Sequence, residues 1–144
     1  MPHVSLHHPK LTLEGAEAIL DAAKAHAARI NKPMNIAVVD DGGHLLAFAR
    51  MDGAKPASID IAINKAHAAA IRRQNTGPAR SGDDVNLLIS LGLAIGSRAQ
   101  QTPIRGGLLL EVNGECVGGI GVSAGTEDED TEVARAGVAA FVSK

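Results

Sequence analysis

The chain contains no Trp and no Tyr, only two Phe (Phe48 and Phe141), and a single cysteine. Without aromatic side chains there is no platform on which nucleobases can stack. A lone Cys116 permits no disulfide framework, no CxxC pair and no thiolate zinc site. Inside an apolar strand segment it reads as a small buried residue rather than a reactive thiol. A net charge of −2 with 21% charged residues gives no electrostatic reason to expect nucleic acid or an anionic membrane as partner. No apolar run approaches the about 20 residues of a membrane span, and the opening MPHVSLHHPK has no apolar core of its own. The expectation is a soluble, cytoplasmic protein. Its 144 residues suit one domain, 1–144, with residues 1–10 as a flexible tail and a core of Ala, Val, Ile and Leu.

What is present is a pair of hairpins. In NIAVVDDGGHLLAFARMDG, residues 35–53, Asp41-Gly42-Gly43 interrupts two apolar runs, and Asp-Gly tolerates the positive φ of a tight turn. A second hairpin is written by Leu108 to Val112, Asn113-Gly114, and Cys116 to Val122. Helices are predicted over 11–30, capped by Thr12, and over 58–74, capped by Ser58. A third covers 85–95, apolar nearly all round and therefore buried or covered by a partner. A fourth covers 126–142, opened by a Thr126/Glu129 capping box. Two hairpins separated by helical sequence define an α/β (α+β) domain with an antiparallel sheet.

Several residues carry candidate chemistry. Gly119-Ile120-Gly121-Val122-Ser123-Ala124 matches a dinucleotide-binding pattern, but it lies on a hairpin strand instead of a βαβ crossover and precedes an acidic helix start. His3, His7 and His8 cluster in the expected tail, where weak adventitious metal binding is the ordinary outcome. His26 and His67 fall on helices, and His44 begins a strand. Arg50 ends a strand, Lys65 lies at the edge of a helical apolar face, and Arg105 precedes Gly106-Gly107, whose backbone allows close approach. Together Arg50, Lys65, Arg105, Gly106 and Gly107 have the chemistry to hold a carboxylate, since Arg grips it bidentately and Lys adds a point charge. Salt bridges from the three cations to Asp52, Asp60 or the acidic helix start are the competing structural role.

The block VVDDGGHLLAFARMDGA, the run Ser58-Ile59-Asp60-Ile61-Ala62 leading to Lys65-Ala66, Gly106-Gly107, and GGIGVSAG followed by Asp130 and VARAG resemble the GlcG/HbpS-like family, which also includes the C-terminal domain of PduO-type proteins. The resemblance runs from Leu11 onward. It implies a profilin-like domain with a central antiparallel sheet of about five strands flanked by helices, assembled as a homo-oligomer, dimer to octamer. It further implies binding of haem or a related tetrapyrrole in some members, and an association with small organic acids in others. The chain departs from the family pattern with His67 in place of Thr and Glu129 in place of Gln. Two functions follow as expectations. One is a binding protein for haem or another carboxylated small molecule, with His44 or His67 as candidate iron ligands. The other is a small-organic-acid isomerase, hydratase or lyase, in which Arg50 anchors a carboxylate and Lys65 or Asp130 moves protons.

Overall fold

The computed structural model describes residues 3–142. Met1 and Pro2 of the expected tail lie outside the described residues, as do positions 143 and 144. Helix α1 (Leu13–Arg29) begins where Thr12 Oγ1 accepts the Gly15 N–H at 3.0 Å. It delivers the chain to the first hairpin, β1 (Asn35–Asp40) and β2 (Leu45–Arg50). The turn is organised by Asp40, whose Oδ1 accepts the Gly42 and His44 N–H groups at 3.0 and 2.9 Å. Its positive φ falls on Gly43, at 81°.

A single 3-10 turn, Pro56–Ser58, leads into α2 (Ile59–Arg72). Ser58, the expected cap, makes no side-chain capping bond. The preceding turn starts the helix instead, with Pro56 at the position where a missing N–H costs nothing. The loop that follows holds a small ribbon, β3 (Arg80–Ser81) and β4 (Asp84–Val85), ahead of α3 (Leu87–Gly96), which Asn86 caps through Ile89 N–H. The second hairpin, β5 (Gly107–Val112) and β6 (Glu115–Ser123), turns at Asn113 and Gly114 with φ of 51° and 81°. Two successive positive φ values are the signature of the hairpin turn whose twist matches the strands it joins. The capping box at α4 (Glu127–Val142) is reciprocal: Thr126 Oγ1 accepts from Glu129 N–H, and Glu129 Oε1 accepts from Thr126 N–H.

The main sheet has the order β2-β1-β6-β5, antiparallel throughout. The α/β class and central antiparallel sheet are as the sequence indicates, but the sheet has four strands instead of about five. The remaining extended strands, β3 and β4, are two residues long each, exposed and paired only to each other. Helices α1 and α4 cover one face, where Ile19, Leu20, Ile36, Val38, Ile120, Val122 and Val133 form the larger core cluster. Helix α2 covers the other face, its Ala66 and Ala70 packing over Ala37 and Val39. It lies so close that a Cβ on Gly119 or Gly121 would collide with the helix backbone at Ala66 O or Ala62 O. The glycines of the dinucleotide-like pattern thus serve helix-to-sheet packing.

Helix α3 departs from this economy. Leu88 and Ile95 are 82% and 78% exposed, and Leu87, Ile89 and Leu91 are exposed with them. No helix of the described residues is long and apolar enough to cross a membrane.

Candidate functional site

The polar residues of interest gather at one end of the sheet, on the face that α2 covers. Arg50, Asn35 and Ser123 are cross-strand partners in a row across β2, β1 and β6. Paired residues of antiparallel strands present their side chains on the same face, and Asn35 alternates with Ala37 and Val39, which pack against α2. Next along the row, Gly106 O accepts the Val122 N–H at 3.0 Å.

Lys65 projects from α2 into this end of the sheet. Its Nζ donates to Asp130 Oδ2 and to the Val122 carbonyl, each at 2.8 Å. The side chains of the pair are 1% and 3% exposed. Asp130 Oδ1 accepts the Gly125 N–H at 2.9 Å, so the carboxylate is bonded through both oxygens. Gly106, at φ 121°, closes over the pair, and a Cβ there would stand 2.9 Å from Lys65 Nζ and from Asp130 Cβ. Gly107 leaves equally little room, between the Lys65 carbonyl and Thr76. Burial pushes the Asp130 carboxyl above its ordinary range, opposed by the hydrogen bond and charge of Lys65 and by the Gly125 N–H. The ion pair survives because each charge is matched in a place water does not reach.

Of the residues singled out from sequence, Lys65, Asp130, Gly106 and Gly107 come together. Arg50 stands at the same end of the sheet on the outer strand, two strand spacings or roughly 10 Å from β6. It is exposed and has no ion-pair partner among the described residues. Arg105 turns away to the acidic start of α4, with Nε 3.0 Å from Glu127 and Nη2 2.8 Å from Asp128. The hydrogen bonds it donates to Asp128 and Glu127 hold its guanidinium above the ordinary value, so Arg105 takes the competing structural role.

The two histidines occupy the opposite end. His67 Nδ1 lies 2.9 Å from the Gly43 carbonyl and packs on that glycine, while His44 is exposed in the same turn. The six residues of β1 separate this end from Arg50, roughly 17 Å at about 3.4 Å per residue. At the edge of the expected tail, His8 and Lys10 contact Asp41 at 3.2 and 3.0 Å, and the Lys10 hydrogen bond holds the Asp41 carboxyl below its usual range. Cys116 is buried, with Arg73 Nη1 3.3 Å from its sulfur.

Residue type alone assigns no ligand chemistry to two members of the row, Asn35 and Ser123, although Ser123 lies within the GGIGVSAG block. Asn35 is fully buried; its Nδ2 donates to the Lys55 carbonyl at 2.9 Å, which fixes the amide orientation. Its Oδ1 has no hydrogen-bond partner. The hydroxyl of Ser123, a residue only 5% exposed, likewise has none among the described residues.

An open groove of about 540 Å³ runs between β5 and α4, bounded by Leu108, Leu109, Val138, Glu111 and Arg135. Its size suits a small molecule. For a carboxylate, however, Glu111 opposes what Arg135 offers. The row at Arg50 has no such conflict and is the better candidate site.

The fold is a three-layer α/β domain with a polar cluster at one end of its antiparallel sheet. The chain belongs to the HbpS-like family: residues 11–139 match the family described as haem degrading protein HbpS-like. It is 37% identical over 132 residues to an uncharacterized 15.0 kDa protein from the dhaT-dhaS intergenic region of Citrobacter freundii, covering 91% of this chain and 92% of the relative. It is 35% identical over 114 residues to protein GlcG of Escherichia coli K12, covering 78% and 81%. The crystal structure of Klebsiella pneumoniae protein ORFY superposes with a TM-score of 0.89 at 29% identity, covering 100% of this chain and 99% of that one.

Proposed function

We propose that the protein binds a carboxylated small molecule, with haem as the ligand class that membership of the HbpS-like family puts first. The observation that carries a binding role over a catalytic one is the closure of Lys65 on Asp130. Both groups that would move protons are sealed and bonded to each other, whereas a proton-transfer group must come within hydrogen-bond reach of its substrate. Arg50 is left as the exposed cation beside polar groups that lack partners. Phe48, two residues earlier on the same strand face, adds apolar surface next to it.

Titration with haemin is expected to give a saturable Soret shift. Replacing Arg50 with Ala removes a charge-assisted hydrogen bond of about 1.5–3 kcal/mol and weakens binding roughly ten- to a hundredfold. The melting temperature should change little, because Arg50 is exposed and unpaired. No Soret shift, or undiminished affinity in Arg50→Ala, overturns the reading. We also propose a homo-oligomer, on the strength of the exposed apolar residues of α3.

A further inference from the structure

We infer that the Arg50–Asn35–Ser123 row selects a carboxylate with a hydroxyl on the adjacent carbon, a 2-hydroxycarboxylic acid, over a bare carboxylate. The inference rests on the carboxylate reading above and deepens it. Asn35 decides the chemistry. Its amide nitrogen is committed to the Lys55 carbonyl, and its Oδ1 is a buried acceptor with nothing to accept from. Buried polar groups are nearly always satisfied. Carboxylate oxygens are themselves acceptors and cannot satisfy it; a ligand hydroxyl can.

The neighbours complete the complement. Arg50 supplies a paired set of donors to a carboxylate, and the unpartnered hydroxyl of Ser123 is a further donor on the other side of Asn35. Adjacent strands lie about 4.8 Å apart, so the row matches a compact acid whose carboxylate and hydroxyl sit on neighbouring carbons. Arg50, at the β2 edge, is the exposed end of the row, with Asn35 and Ser123 buried behind it, so the acid would enter from the Arg50 side. A ligand without the hydroxyl leaves Asn35 Oδ1 orphaned, and sites built to bond a substrate hydroxyl reject the analogue lacking it.

The test compares lactate with propionate, which differ by that one hydroxyl, by calorimetric titration of the intact protein. The wild type is expected to bind lactate roughly tenfold or more tightly than propionate, and this comparison needs no variant to fold. Asn35→Ala should erase the preference. Ser123→Ala should weaken both acids while keeping it, and Arg50→Ala should weaken both acids alike. Equal affinity for the two acids, no binding of either, or a preference that survives Asn35→Ala overturns the inference and leaves Asn35 to an ordered water. Arg50-dependent haemin binding without a lactate preference would sink this inference alone. Haemin and acid binding that both ignore Arg50 would sink the carboxylate reading beneath it.

Discussion

Lys65 and Asp130 illustrate how one buried charge depends on another. Replacing Lys65 with Met leaves the Asp130 carboxylate enclosed with only the Gly125 N–H, and such uncompensated charge costs about 3–5 kcal/mol. Pairing it with Asp130→Asn should recover much of that loss, because Asn can still accept from Gly125 N–H while carrying no charge. The pH dependence follows from the raised Asp130 carboxyl. A carboxyl that holds its proton more tightly folded than unfolded contributes stability below its unfolded value, and that contribution is lost as pH rises through the folded value. In Lys65→Met the loss should therefore be greatest at neutral pH and shrink as pH falls into the carboxylate range. Urea titrations of the two variants across pH check both statements; a pH-independent deficit would contradict them. At this scale the sequence was legible where residue type implied chemistry, as for Lys65, Asp130 and Gly106. It was not legible for Asn35 and Ser123, whose importance lies in a missing partner across the sheet.

At the scale of elements, contact between α2 and β6 requires glycine. A methyl group on Gly121 would meet the helix backbone at Ala62 and Ala66, and rigid backbone cannot yield as a side chain can. Gly121→Ala is expected to cost about 1–3 kcal/mol or more by forcing α2 from the sheet. Gly92→Ala is the counterpart: nothing lies within 4 Å of its added methyl, which sits in α3. It should leave stability unchanged or raise it by about 0.4–1 kcal/mol. Denaturation midpoints that fail to separate the two variants would refute the packing argument. Both hairpins and all four helices could be read from turn residues, caps and apolar period, because those signals are local. The β1–β6 pairing and the strand count could not, since neighbours in a sheet are set by contacts between distant segments. Arg105 shows the same limit, its guanidinium claimed by Glu127 and Asp128 from 22 residues onward.

For the whole molecule, α3 is the open account. Its cap and length are those of an ordinary helix, yet Leu87, Leu88, Ile89, Leu91 and Ile95 are exposed in the single chain. Contiguous apolar surface of this kind marks an interaction site, and closed symmetric assembly is the common way to cover it. Light scattering at micromolar concentration should return at least a dimer mass, and Leu88→Glu with Ile95→Glu should lower it. A monomeric wild type would leave α3 to some other partner. Confining the charges to exposed positions keeps this test apart from folding.

The pairing of β1 with β6 also has a consequence in time. Asn35 to Asp40 are made well before their inner neighbour in the sheet, Gly118 to Ser123. Until then the β1–β2 hairpin stands alone, and an isolated hairpin is marginal in water. Ile36 and Val38 have no completed core to enter before Ile120, Val122 and Val133 arrive. The growing chain therefore carries an unpaired strand edge and bare aliphatic side chains until β6 is made. For this protein the interval of greatest exposure to aggregation, and to chaperones that recognise such surfaces, is the interval on the ribosome.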